Sequence, residues 1–75
     1  MSSSRGPIGP LTAAERTALS LSATGLVTAQ VADAMGESPD LVHAWLVAAI
    51  GKLGARSKLE AVIIAARRGD LNLPL

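Results

Sequence analysis

One stretch of the chain constrains its fold more than any other, because residues 38–54 have the pattern of a single capped helix. Ser38 can accept an unpaired backbone N–H of the first turn, and Pro39 suits the first helical position because its φ is already helical. Asp40 places negative charge at the positive end of the helix dipole. Gly54 is the residue type that most often ends a helix in the left-handed conformation. We therefore predict a long helix between these two ends.

The two faces of this predicted helix differ in character. Apolar residues recur with the 3.6-residue period of a buried stripe, namely Val42, Trp45, Leu46, Ala49, Ile50 and Leu53. The opposite face is short, small and almost uncharged, and it consists of His43, Ala44, Val47, Ala48 and Gly51. We expect Trp45 to fill core volume, and an anchoring role in a protein interface is the alternative.

Composition excludes several classes of protein. The chain has 75 residues, enough for one small domain with a thin core. Its net charge of +1 is low for a dedicated nucleic-acid binder. The absence of Cys and the presence of one His argue against a disulfide framework and a zinc site, so we expect no metal and no cofactor. A nucleophile beside a base, paired carboxylates and a glycine-rich phosphate loop are all missing, so we do not expect an enzyme.

The sequence also bears on location. Its apolar runs are far shorter than a membrane span, and no basic segment is followed by the apolar core of a signal peptide. We therefore expect a cytoplasmic protein that does not contact the membrane. Residues 1–10 are rich in Ser, Gly and Pro and should form a flexible arm, with a basic minor-groove arm carrying Arg5 as the alternative.

Two further helices are predicted before residue 38. Thr12 and Glu15 have the spacing of a capping box, and Gly25 ends the helix that this box begins. A short second helix should follow, with Thr28 as its N-cap and Gly36 as its stop. The second and third helices are joined so tightly that they must cross steeply, which is the geometry of a helix-turn-helix.

A fourth helix should begin at a second capping box, Ser57 with Glu60, and end before Gly69. Its middle, residues 61–66, is apolar on every side and therefore needs to be buried on every side. One stripe should enter the core, and the other should contact a second copy of the chain. We assign the dimer interface to Ala61, Ile64, Ala65 and Arg68, and the tail at residues 70–75 folding back over this helix is the alternative.

Several short motifs together resemble a known family. They are Leu11-Thr12 with Glu15-Arg16, Gly25-Leu26, Val31-Ala32, Met35, Ser38-Pro39, Val42, Lys52-Leu53-Gly54-Ala55, Lys58 and Ala61-Val62. From residue 11 to residue 69 the chain resembles the LuxR/GerE-type helix-turn-helix. The resemblance implies an all-α domain of four helices, with the third in the DNA major groove and the fourth at a dimer contact. It also implies a bacterial transcription regulator.

Departures from the family pattern leave two functions open. Family members usually have a Lys or Arg at the place of His43, a polar or basic residue at Val47, and a donor at Ala29. We expect double-stranded DNA to be bound by a homodimer, or by a heterodimer with another regulator, through Thr28, His43, Ala44, Val47, Lys52 and Arg56. Lys58 stands where the family has an Arg, and we expect it to pair with Glu15. The alternative is a degenerate helix-turn-helix that docks on another regulator and modulates it.

Overall fold

The computed structural model describes residues 9–71, which form four α-helices and no strand. Helix α1 spans Ala13–Ala23, α2 spans Thr28–Met35, α3 spans Pro39–Leu53 and α4 spans Lys58–Arg68. The predicted all-α, four-helix domain is confirmed. Most of the predicted N-terminal arm and the last four residues of the predicted tail lie outside the described residues. No helix in the described range is long and apolar enough to cross a membrane.

The predicted caps of α1 and α3 are present. The Thr12 hydroxyl accepts the Glu15 backbone N–H at 3.1 Å, and the Thr12 N–H donates to the Glu15 carboxylate at 2.8 Å. This reciprocal pair is a complete capping box. At α3, the Ser38 hydroxyl accepts the N–H of Leu41 at 3.2 Å, and Pro39 is the first helical residue. Both helices therefore begin where the local sequence signals predicted.

The caps of α2 and α4 differ from the predictions. The N-cap of α2 is Val27 and not Thr28, because Gln30 accepts the Val27 backbone N–H at 3.0 Å and Thr28 is already helical. At α4, Ser57 accepts the Glu60 N–H at 3.1 Å as predicted. The returning bond is displaced by one residue, since the Glu60 carboxylate accepts the backbone N–H of residue 56 at 2.7 Å. Only half of the second capping box therefore forms.

The end of α3 needs a glycine. Gly54 has φ of +66°, in the left-handed region that side chains with a Cβ disfavour. Its N–H donates to the carbonyl of Gly51 at 3.1 Å, and the N–H of Ala55 donates to the carbonyl of Ile50 at 3.0 Å. These two bonds satisfy carbonyls that the helix end leaves free. The chain then turns directly into α4.

Helix α3 lies at the centre of the fold, where it contacts α1, α2 and α4. The predicted inward stripe of α3 is confirmed, because four of its members are buried and two are half-buried against the core. The buried apolar residues are Leu11, Ala18, Leu19, Val31, Ala32, Val42, Leu46, Ala49, Leu53, Ala61 and Ala65. Because the inner face of α3 is covered in this way, its outer face is left free.

The burial of α4 argues against two of the four residues assigned to the dimer interface, Ala61 and Ala65. Ala61 and Ala65 have no exposed surface, because they pack into the core of the domain itself, and Ile64 packs half-buried beside them. Arg68 is exposed, and its Nε lies 3.1 Å from the carboxylate of Asp70. Buried alanines cannot meet a second chain without opening the core. The exposed apolar residues of α4 lie on the opposite side of the helix, at Leu59, Ile63 and Ala66.

Candidate nucleic-acid interface

Four of the five residues on the outer face of α3 are exposed, and the fifth, Ala48, is half-buried. His43, Ala44, Val47 and Gly51 are exposed, and Val47 has 54% of its surface accessible. Leu41 flanks this face and is 39% exposed. The sequence therefore identified correctly which side of α3 stays outside the core. We call the stripe formed by His43, Ala44, Val47, Ala48 and Gly51 the outer face of α3.

The other predicted contact residues lie at the ends of the neighbouring helices. Thr28 is half-buried in the first turn of α2, where backbone N–H groups point out of the helix end. Arg56 is exposed in the link between α3 and α4. Lys58, at the start of α4, is also exposed and has no ion pair within residues 9–71. Both cations are thus available to bind an anionic partner beside the C-terminal end of α3.

Lys52, in contrast, is engaged inside the protein. Its ammonium donates to the Glu15 carboxylate at 2.7 Å, and the side chains of Lys52 and Glu15 are only 17% and 7% exposed. The predicted pairing of Lys58 with Glu15 is therefore wrong, because Lys52 in the last turn of α3 takes that place. The assignment of Lys52 as a DNA contact stays a prediction, but the charge of Lys52 is already matched by Glu15.

The ionisation of Glu15 reflects this pairing. Burial raises the pKa of the carboxyl, but the hydrogen bond and charge of Lys52, together with the N–H and hydroxyl of Thr12, outweigh burial. The net result is a pKa below the ordinary value for Glu. The carboxylate therefore stays charged, and it joins the beginning of α1 to the end of α3.

Three carboxylates beside α3 did not enter the predicted site. Asp33 at the end of α2, Glu37 in the turn and Asp40 in the first turn of α3 are all exposed. None of the three has an ion pair in the described part of the chain. Asp40 precedes Ala44 by four residues, so the helical period places it at the start of the outer face. That spacing is visible in the sequence and was the available signal.

Trp45 is half-buried against the core, as its position on the inward stripe predicted. Its indole N–H makes no hydrogen bond to any of residues 9–71. Its partial exposure beside the outer face of α3 leaves the anchoring role open as an alternative.

Comparisons with known proteins agree with this arrangement. The family model described as bacterial regulatory proteins of the luxR family, GerE, matches residues 9–65, which is most of the chain. The solved "Structure of Transcription factor, GerE" is similar with a TM-score of 0.80 and 26% sequence identity, covering 85% of this chain and 96% of that one. A comparison with curated protein sequences finds no match. Because the matched region contains α1 to α3 and most of α4, the chain belongs to the LuxR family of bacterial regulatory proteins and carries the GerE-type DNA-binding helix-turn-helix domain.

Proposed function

We propose that this chain is a bacterial transcription regulator that binds double-stranded DNA as a dimer, with α3 as the recognition helix. The observation that carries the proposal is the division of α3 into a buried inner face and an exposed outer face. A recognition helix needs this division, because the core must hold it while one side enters the major groove. Membership of the LuxR family and the likeness to a transcription factor support DNA as the ligand.

The dimer contact of this proposal lies on the exposed stripe of α4. Leu59 is 71% exposed and Ile63 is 45% exposed, and Ala66 lies on the same side of the helix. Large apolar side chains exposed together favour a partner surface, and a second copy can provide the same stripe through two-fold symmetry. Such a dimer presents two copies of α3 to half-sites about 34 Å apart. A heterodimer with another regulator would use the same stripe.

The charges beside α3 set the expected strength of binding. Arg56 and Lys58 are exposed, whereas Lys52 is matched by Glu15, so each subunit offers about two phosphate contacts. When a dimer neutralises about four phosphates, the logarithm of its binding constant should fall with the logarithm of the salt concentration with a slope near −3.6, which we call the salt slope. The exposed carboxylates of Asp33, near the end of α2, and Asp40, in the first turn of α3, should weaken binding further by repelling phosphates. The protein should therefore rely on contacts to base edges more than on its net charge.

A titration of labelled genomic fragments with the full chain, followed by fluorescence anisotropy, tests the proposal. Between about 50 and 200 mM salt we expect a loss of affinity of about 100-fold. Replacing both Arg56 and Lys58 by Ala should make the slope shallower by about 3 to 4, since it removes four contacts per dimer. Arg67→Gln, an exposed cation at the far end of α4, is the control. A slope near −10, or no binding at the lowest salt, would contradict the proposal.

A second candidate function is a protein-interaction module that docks on another regulator. The observation that favours it is the group of exposed carboxylates at Asp33, Glu37 and Asp40, next to the exposed apolar side chains of Leu41 and Val47. Such a surface suits a partner with basic and apolar side chains better than it suits phosphates. A folded protein that binds no DNA at any salt concentration would favour this function over the first.

A further inference from the structure

The outer face of α3 has little capacity for hydrogen bonding. Ala44, Val47, Ala48 and Gly51 carry no polar side-chain atom, and Val47 exposes more than half of its surface. His43 is the one residue of this face with a polar side chain, and it can provide a ring N–H. Most base pairs that meet this face would therefore encounter an apolar side chain.

Base edges differ in how they tolerate an apolar side chain. In the major groove guanine, adenine and cytosine present hydrogen-bond donors and acceptors, while thymine adds a C5-methyl group. An apolar side chain placed against a polar edge removes water without replacing its hydrogen bonds, which is unfavourable. Against the thymine methyl the same side chain removes apolar surface from water, which is favourable. An apolar outer face therefore discriminates in favour of thymine.

Helical geometry brings two of these side chains close enough together to reach neighbouring base pairs. Ala44 and Val47 are three residues apart, so they lie on the same side of α3. Their separation along the helix axis is about 4.5 Å, close to the rise of about 3.4 Å per base in DNA. Val47 extends further from the helix than Ala44 and is the residue with the larger apolar surface to bury. It should make the closer contact.

We infer that Val47, with Ala44 one turn before it, reads thymine in the major groove by contacting its C5-methyl group. The inference rests on the proposed function, because it requires α3 to lie in that groove. It assigns the sequence preference of the protein to apolar contact in place of the bidentate hydrogen bonds that Arg, Lys, Asn or Gln would make. Burial of one methyl group corresponds to about a fourfold gain in affinity.

Replacement of thymine by uracil tests this directly, because it removes the methyl group and leaves base pairing unchanged. Duplexes that the full chain enriches from a random-sequence pool at low salt would be resynthesised with deoxyuridine at one thymine position at a time. We expect one or two positions in each half-site at which the change lowers affinity about fourfold, and about 16-fold when both half-sites carry it. Thymines outside the contacted positions should show no change.

A double-mutant cycle identifies the side chain responsible. In Val47→Ala the affinity for the thymine duplex should fall. The ratio of the affinities for the thymine and uracil duplexes at the matching position should approach one. Alanine favours helix and the site is exposed, so the variant should remain folded, which circular dichroism checks. Val27→Ala is the matched control, because Val27 is similarly exposed, at 59%, but lies at the N-cap of α2 and outside α3. It should leave the ratio unchanged.

The outcomes separate this inference from the proposed function. Specific binding that is insensitive to uracil at every position, or an enriched site without thymine, would overturn the inference and leave DNA binding intact. A ratio that stays the same in Val47→Ala would overturn the assignment to Val47. Failure to enrich or bind any duplex at low salt would overturn both.

Discussion

Removing the ammonium of Lys52 should destabilise the domain more than removing the charge of its partner. In Lys52→Met the side-chain length is kept, but the Glu15 carboxylate, 7% exposed, keeps only the Thr12 donors of its folded environment. Breaking a buried pair by removing one partner costs about 3–5 kcal/mol. Because Thr12 still donates and water reaches the edge of the pair, we expect about 2–3 kcal/mol here.

Glu15→Gln should lower the free energy of unfolding by less, about 1 kcal/mol. The amide oxygen can still accept the Thr12 N–H, and the ammonium of Lys52 can extend to water on its flexible stem. The asymmetry between the two variants follows from the difference in burial, since a lysine at the surface edge can rehydrate and a buried carboxylate cannot. Lys58→Met is the control, because Lys58 is exposed and should change stability by less than about 0.5 kcal/mol.

Urea unfolding followed by far-UV circular dichroism measures these differences. In a domain of this size a loss of about 1 kcal/mol lowers the Tm by about 4–8 °C, so thermal unfolding of Lys52→Met should show a Tm lower by about 10–20 °C. The reasoning is refuted if Glu15→Gln is the more destabilised variant. It is also refuted if Lys58→Met is destabilised as strongly as Lys52→Met.

The same pair makes stability depend on acid pH. The pKa of Glu15 is lower in the folded state than its ordinary value, so folding is stabilised above that ordinary value. This contribution should be lost as the pH falls below about 4.3 and through the lower folded pKa. Glu15→Gln removes the titrating group, and its stability should fall less over the same range. An equal fall in both proteins would place the acid sensitivity elsewhere.

Two further predictions concern α4 and the end of α3. Ile63→Glu should sediment as a folded monomer, because Ile63 is exposed on the proposed dimer contact. Ile64→Glu should instead lower the free energy of unfolding, because it places a carboxylate against the core. A dimer that survives Ile63→Glu would contradict the proposed contact. Gly54→Ala should lower the free energy of unfolding, measured in urea, by about 1–2 kcal/mol because the φ of Gly54 is positive. Gly51→Ala should raise it by about 0.5–1 kcal/mol, because Gly51 lies within the helix and has open space beside it. Equal effects of the two alanines would contradict this reasoning.

Local sequence patterns were sufficient to predict the helices. The caps at Thr12 and Ser38 and the glycine stop at Gly54 depend on residues within a turn of each other, and all three are present. The inward stripe of α3 was also predictable, because its apolar period is regular. The error at α2 arose because Thr28 is a better cap than Val27 by residue type, while Gln30 made Val27 the better one in context.

The stripe of α4 was harder to assign for a physical reason. Both sides of residues 61–66 are apolar, so periodicity alone cannot show which side enters the core. In the structure Ala61 and Ala65 are fully buried, and Val62 and Ile64 pack half-buried against the same core. Leu59 and Ile63 stay exposed. The choice between the two sides therefore depends on tertiary packing against the other helices, which the period of one helix does not contain.

The pairing of Glu15 with Lys52 could not be read from the sequence, because the two residues are 37 positions apart and other cations were available. Its consequence reaches the candidate site. The pair joins the last turn of α3 to the first turn of α1, so Lys52 holds α3 in place from the inner side. The residues that would touch DNA on the outer face, such as Val47, contribute little to the core. Under the proposed function, stability and sequence preference are carried by different residues of α3, and Val47→Ala should change DNA affinity with little change in stability.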